Sequence, residues 1–136
     1  MRSFLVVANR TLGGDHLVAK VKKCLAAGPC RFYLVVPVTL PGGHPWTEGE
    51  IRADAEGTLQ GALQRFRDLG ADVDGEIGDS NPMLAIEDAA RSRSFDEIIL
   101  STLPPGPSRW LKLDLPRRVA AHFPIPVSHI VGEPPE

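Results

Sequence analysis

Five short apolar runs, separated by stretches with helical periodicity, restrict the fold of this chain more than any other feature. Residues 4–8, 32–38, 97–100 and 127–131 are rich in Val, Ile, Leu and Phe, which is typical of strands covered on both faces in parallel sheets. Residues 71–77 instead alternate apolar and acidic positions, which indicates an edge strand with one wetter face. The sequence therefore predicts five strands, with the third at a sheet edge.

Helical patterns fill the segments between these runs. Asp15 is the predicted N-cap of the first helix and Asp114 of the last. The second pattern covers residues 50–69 and ends at a glycine, and the turn of residues 79–82 supplies a cap and then a first-turn proline for the third. Strands and helices thus alternate from one end of the chain to the other.

This alternation predicts the fold class, because strands joined by helices form parallel sheets with helices on both faces. Right-handed crossovers favour a doubly wound five-stranded α/β sheet in the order 3-2-1-4-5. The winding direction then reverses between strands 1 and 4, where such sheets bind ligands outside the carboxyl ends of their strands. We expect one domain over residues 1–136, with its cleft after Ala8 and after Leu100.

The composition excludes several classes of protein. The 136 residues include 15 basic and 17 acidic side chains, a formal net charge of −2, which argues against a dedicated nucleic-acid binder. No apolar run approaches the roughly 18 residues of a membrane helix, and the run at residues 4–8 is too short for a signal-peptide core. We expect a cytoplasmic protein with no nucleic-acid and no membrane partner.

The sequence also lacks the usual catalytic and metal-binding motifs. No two of its four histidines have the i, i+4 spacing of a helical metal site, and Cys24 and Cys30 are too few for a closed zinc site. No Ser-His-Asp order, nucleophile elbow, paired-carboxylate motif or P-loop is present. The sequence therefore predicts no catalytic residue and no metal site, and two reduced thiols.

Two turns, together with the strand order, carry a family resemblance. Gly78-Asp79 follows strand 3, and residues 122–127 (HFPIPV) lead into strand 5. With this order and spacing the chain resembles the universal stress protein family over residues 3–131. The resemblance implies an adenine nucleotide alpha hydrolase-like fold, an ATP or AMP ligand, and a homodimer formed through the last strand, Val127 to Val131.

The segment after strand 4 departs from the family pattern. Nucleotide-binding members have G-x2-G-x9-G-[ST] there, whose backbone amides take the phosphates. Aligned from Ser101, the three glycine positions become Ser101, Pro104 and Asp114. Aligned from the Pro-Val entry to strand 5, the final Gly-[ST] pair becomes Leu113-Asp114, so the glycines are absent in either alignment. Asn9 replaces the family's acidic residue after strand 1. Prolines lack the N–H group that a phosphate cradle needs. The family's usual manner of binding ATP is therefore disfavoured.

Two functions remain open at this point. The first is a non-enzymatic binding or regulatory module with an unknown protein partner. The second is an ATP- or AMP-binding stress protein that uses residues 104–109 as an altered phosphate loop and hydrolyses its ligand slowly or not at all. A third and weaker hypothesis is a partner domain whose cleft is filled by its own side chains, such as Leu103 or Trp110.

The candidate ligand-binding residues follow the ends of strands. They are Asn9, Arg10, Val36, Pro37, Gly78, Asp79, Ser101, Thr102, Ser108 and Arg109. The hydroxyls and Arg109 form a small anion site or serve ordinary turn chemistry. Asp79 borders the adenine and ribose pocket that the resemblance implies, or else Asp79 or Ser80 caps the third helix. Val36 and Pro37 form the floor of a base pocket or simply belong to the core.

Overall fold

The computed structural model describes residues 2–8, 14–38, 47–102 and 114–131. The strands in these stretches are β1 (Arg2–Val7), β2 (Cys30–Pro37), β3 (Asp72–Gly78), β4 (Glu97–Thr102) and β5 (Val127–Val131). The helices are α1 (Asp15–Ala27), α2 (Glu48–Asp68), α3 (Pro82–Ser92) and α4 (Leu115–His122). None of these helices is both long enough and apolar enough to cross a membrane.

The strands form one sheet in the order β3-β2-β1-β4-β5, and every neighbouring pair is parallel. This confirms the predicted doubly wound α/β sheet and its strand order. β1 lies in the middle, where Val7 is in register with Val35 of β2 and with Leu100 of β4. The predicted edge position of the alternating strand is also confirmed, because β3 ends one side of the sheet.

Side chains alternate across the sheet and feed two apolar layers. On one face Phe4 and Val6 pack with α1 and α2, and on the other Leu5 and Val7 pack with α3 and α4. The centre of the first layer is aromatic. The rings of Phe4 and Phe32 stack with centroids 5.3 Å apart, and Phe66 of α2 meets Phe32 edge-on at 6.0 Å.

The start of α1 differs from the prediction that Asp15 is its N-cap. Gly14 occupies the cap position with an extended backbone, and no side chain caps the helix. Asp15 is the first helical residue instead, where its negative charge is favourable near the positive end of the helix dipole. Its carboxylate lies 3.4 Å from the guanidinium of Arg65 on α2.

The start of α2 has a capping box that the sequence pattern did not predict. Glu50 donates its backbone N–H to Thr47 Oγ1 at 3.1 Å, and Thr47 donates its N–H to Glu50 Oε1 at 3.3 Å. These two bonds satisfy free donors at the helix end, so the helix begins at Glu48 rather than at Glu50. At α4, Asp114 holds the predicted cap position in a left-handed conformation, but its side chain makes no capping bond.

The aromatic centre of the first layer leads to a stability prediction. Phe32→Ala removes a fully buried ring that two other rings contact, and such truncations cost about 3–5 kcal/mol. Urea unfolding should show this loss. Leu84→Ala is the control, because Leu84 is 44% exposed and its truncation should change stability by less than about 0.5 kcal/mol. Similar losses in both variants would contradict the proposed packing.

Candidate functional site

All five strands are parallel, so their carboxyl ends meet along one side of the sheet, here called the carboxyl edge. It comprises the ends of β3, β2, β1, β4 and β5 in that order. The winding reverses between β1 and β4, where ligands bind in folds of this kind. Two backbone bonds tie the strand ends together: Ala8 N–H donates to Val35 O at 3.3 Å, and Val38 N–H donates to Gly78 O at 3.2 Å.

Six of the ten candidate residues belong to the described part of the chain. They are Val36, Pro37, Gly78, Asp79, Ser101 and Thr102, and all six lie at or directly after the carboxyl edge. The other four, Asn9, Arg10, Ser108 and Arg109, lie outside the described residues. So do Leu103 and Trp110, on which the hypothesis of a self-filled cleft depends.

Val36 and Pro37 are buried at the end of β2. Val36 is 2% exposed and packs in the layer formed with α1 and α2. It therefore belongs to the core, which was one of the two interpretations of this residue. Pro37 is in register with Gly78 of β3. The two residues therefore provide an apolar base beneath the carboxyl edge, between the ends of β1 and β3.

Gly78 is required by close packing. A Cβ atom at this position would lie 2.6 Å from Ala85 Cβ and 3.0 Å from Val35 Cγ1. Ala85 belongs to the first turns of α3 and is itself buried. The missing side chain thus lets the start of α3 approach the sheet next to the candidate site.

Asp79 shapes the turn into α3 but does not cap the helix. Its Oδ1 accepts the backbone N–H of Asn81 at 2.8 Å, and Asn81 Oδ1 accepts the N–H of Met83 at 3.0 Å. Asn81 is therefore the N-cap, and the interpretation that Asp79 or Ser80 caps this helix is wrong. Asp79 is exposed, and a carboxylate has a second oxygen that can accept a bond from a ligand.

Ser101 and Thr102 end β4 beside the winding reversal, and each is 1% exposed. Because side chains alternate along a strand, Ser101 shares the α1–α2 face with Ile99, and Thr102 shares the α3–α4 face with Leu100. The two hydroxyls therefore approach the carboxyl edge from opposite faces of the sheet.

Thr102 contacts a histidine that the sequence pattern did not identify as part of the site. Thr102 Oγ1 and His129 Nε2 are 2.7 Å apart, which is a hydrogen bond. His129 is an exposed residue of β5, but the burial of its ring lowers its pKa from the ordinary value of 6.5. The parallel pairing of β4 with β5 places His129 opposite Leu100, two residues before Thr102 on the same face.

The described residues include cysteine, histidine and carboxylate side chains. No group of three or more His, Cys, Asp or Glu side chains within them could hold a metal ion. Cys24 and Cys30 are free thiols, and burial raises the pKa of both. A raised thiol pKa lowers the fraction of reactive thiolate at neutral pH.

No protein-family model matches the chain, and no curated protein matches it. The fold does match solved structures. A universal stress protein from Archaeoglobus fulgidus in complex with dAMP has 21% sequence identity, with 96% of this chain and 97% of that chain covered at a TM-score of 0.61.

Two further solved structures agree. A protein of the universal stress protein family from Burkholderia pseudomallei has 17% identity, with 94% of each chain covered and a TM-score of 0.58. A universal stress protein in complex with cAMP has 15% identity, with 95% of this chain and 96% of that chain covered and a TM-score of 0.58. This chain has the universal stress protein fold.

The predicted resemblance is thus confirmed at the level of the fold. The universal stress protein fold extends over nearly the whole chain in each comparison, so the strand order and the carboxyl edge are shared with these structures. At identities of 15–21% the side chains at that edge must be judged on this chain's own geometry.

The close packing at Gly78 gives a prediction with an internal control. Gly78→Ala should destabilise the protein by about 1–3 kcal/mol, because the added methyl overpacks the contact with Ala85. Gly57→Ala on α2 should instead stabilise it by about 0.5–1 kcal/mol, since its Cβ meets nothing within 4 Å. Thermal or urea unfolding measures both, and a neutral Gly78→Ala would contradict the packing.

The burial of the His129 ring predicts a pH dependence of folding. The folded-state pKa of His129 lies below 6.5, so the unfolded chain takes up the proton more readily. The stabilisation linked to neutral His129 is complete above the pKa that this histidine has in the unfolded chain. It is lost as the pH falls from there through the lowered pKa of the folded state. NMR titration should find this imidazole below 6.5, and His129→Asn should flatten the slope of stability against pH. A pKa at or above 6.5 would refute the assignment.

Proposed function

We propose that this chain is a non-enzymatic universal-stress-protein-like module that binds an adenine nucleoside monophosphate at the carboxyl edge. The observation that carries the proposal is the ligand pair in two solved structures of the same fold, dAMP and cAMP. Each of these nucleotides has one phosphate. A monophosphate also suits the altered segment after β4, because one phosphate needs fewer hydrogen-bond donors than the triphosphate of ATP.

The dimensions of the carboxyl edge support this ligand class. Four neighbouring strands, β3, β2, β1 and β4, end along it. Three strand spacings of about 4.8 Å give a length of about 14 Å. A base, a ribose and one phosphate laid across the strand ends fit that length, with the phosphate next to the winding reversal.

The side of the edge near β2 and β3 suits the nucleoside. Val36 and Pro37 are buried and apolar, which favours contact with a flat base. Asp79 is exposed on the adjacent turn, and one of its oxygens is used by Asn81. The remaining carboxylate oxygen can accept bonds from ribose hydroxyl groups, and hydrogen bonds to charged groups are stronger than neutral ones.

The side of the edge near β4 suits a single phosphate. Ser101 and Thr102 place one hydroxyl on each face of the sheet at the strand end, and the proposal adds Ser108 and Arg109 from the segment that follows. Pro104, Pro105 and Pro107 of that segment have no N–H to donate. Asp114 adds a negative charge in place of a family glycine. A triphosphate would therefore meet too few donors.

Calorimetric titration with AMP, cAMP and ATP tests the proposal. We expect AMP or cAMP to bind with a Kd on the order of micromolar, about −8 kcal/mol, and ATP to bind at least about tenfold more weakly with or without Mg²⁺. Tighter binding of ATP with Mg²⁺ would favour the alternative of an ATP-binding stress protein with an altered phosphate loop. Absence of binding at millimolar nucleotide would refute the nucleotide site and leave a module for protein partners.

A substitution at Asp79 tests the nucleoside end of the site. Asp79→Asn keeps the oxygen that accepts the N–H of Asn81 but replaces the second carboxylate oxygen by an amide donor. AMP affinity should fall about tenfold, roughly 1.4 kcal/mol. Asp54→Asn, at an exposed position of α2, should leave it unchanged. Equal affinities in the two variants would remove Asp79 from the site.

The proposal includes a homodimer in the cytoplasm, formed through β5 (Val127–Val131). β5 ends the sheet, and Val131 is 40% exposed there. The opposite end of the sheet is β3, whose Asp72, Asp74 and Glu76 discourage pairing with a second strand. Sedimentation showing a monomer at tens of micromolar, a concentration at which ordinary dimers persist, would contradict the dimer.

A further inference from the structure

The backbone groups on the outer side of β5 follow from its pairing with β4. Ile98 donates its N–H to Pro126 O at 2.9 Å, and Ile98 is in register with Val127. In a parallel ladder alternate residues face the neighbouring strand. Ser128 and Ile130 therefore direct their backbone N–H and C=O groups toward β4. Val127, His129 and Val131 direct theirs to the outer edge, here called the free edge because none of the described strands pairs with β5 there.

The side chains of the three outward-bonding residues share one face of the sheet. Val127 packs in the layer formed with α3 and α4, and the two-residue period places His129 and Val131 on the same side. Val131 is an exposed apolar side chain. The free edge thus presents a valine, a histidine and a valine in a row, with no carboxylate or ammonium group on β5.

Symmetry selects one antiparallel register for a second copy of this strand. A two-fold axis at His129 pairs His129 with itself and Val127 with Val131 of the other copy, so all three outward residues bond and six hydrogen bonds form. An axis at Ser128 or at Ile130 pairs only two of the three outward residues, which gives four bonds. The register centred on His129 therefore satisfies the most backbone groups.

We propose that two copies of this chain pair through β5 about an axis at His129, which places their two imidazoles side by side, and that protonation of this histidine pair separates the copies. This inference rests on the homodimer included in the proposed function. It adds the register of the interface and the group that controls it.

The spacing makes the two rings sensitive to charge. Directly opposed residues in a hydrogen-bonded antiparallel pair have Cα atoms about 5.5 Å apart, and like charges in such positions are destabilising. Thr102 Oγ1 restrains each ring at 2.7 Å. Protonated rings would thus repel each other, and neutral rings pack between the flanking valines.

Charged groups on the neighbouring elements do not account for the lowered pKa of His129. Burial is the one cause of the lowered pKa of His129 among the described residues. The charged groups of the adjoining elements have other partners in several cases: Glu97 with Ser128 and Lys20, Arg117 with Asp114, and His122 with Glu87. Arg118 on α4 is exposed and contributes no shift at His129.

Cysteine cross-linking tests the register. Two copies of His129→Cys should form an intermolecular disulfide under mild oxidation, because the opposed Cα atoms lie within the range that a disulfide spans, about 4.4–6.8 Å. Ser128→Cys is the matched control, since Ser128 lies opposite Ile130 of the other copy and its side chain is on the other face. Preferential cross-linking of Ser128→Cys would overturn the register.

Sedimentation across pH tests the control by protonation. If both rings must be neutral in the dimer, the dimer Kd should rise by up to about 100-fold per pH unit below the pKa of His129, because two protons are released on association. His129→Val should remove that dependence and keep the dimer one pH unit below the His129 pKa that NMR titration measures, where the wild-type pair is protonated. His122→Asn, which alters an exposed histidine of α4, should leave the pH dependence of the dimer Kd unchanged.

The outcomes separate this inference from the proposal beneath it. A dimer whose affinity is the same from about pH 8 to one pH unit below the His129 pKa that NMR titration measures, or one that His129→Val leaves equally sensitive to acid, overturns the role of the histidine pair while the homodimer stands. A monomer at every pH overturns the homodimer and this inference together. Nucleotide binding by the monomer or by the dimer tests neither the homodimer nor the role of the histidine pair.

Discussion

The burial of β1 between two parallel neighbours is the constraint on which the rest of the structure depends. Leu5, Val6 and Val7 have no exposed surface, and the strand pairs with β2 on one side and β4 on the other. Its alternating side chains supply both apolar layers, and its end lies beside that of β4, where the winding reverses. The strand that anchors the core therefore also positions the candidate site.

Much of the fold could be predicted because its signals are local. A run such as residues 4–8 is apolar without interruption, which few arrangements other than a covered parallel strand accommodate. Helix ends were less predictable, because they depend on which of several polar side chains reaches a free N–H group. Thr47 and Asn81 make such bonds, whereas Asp15 does not cap α1.

The candidate site could be predicted in position but only partly in detail. The rule that ligands bind at a winding reversal selects strand ends, and Gly78 and Ser101 lie there. The contact between Thr102 and His129 joins residues 27 positions apart and depends on the register of β4 with β5. No local pattern encodes that register, so His129 could be associated with the site only from the three-dimensional structure.

A shared fold leaves the ligand open, because function depends on the side chains placed at its edges. The central claim is that the carboxyl edge binds an adenine nucleoside monophosphate. NMR spectra recorded during titration with AMP test it most directly. The account predicts that backbone amide signals of Val36, Gly78, Asp79 and Thr102 shift together. The signals of Cys30 and Asp72, at the amino ends of β2 and β3, should stay in place. Shifts confined to the amino ends of the strands, or no shifts at saturating AMP, would contradict it.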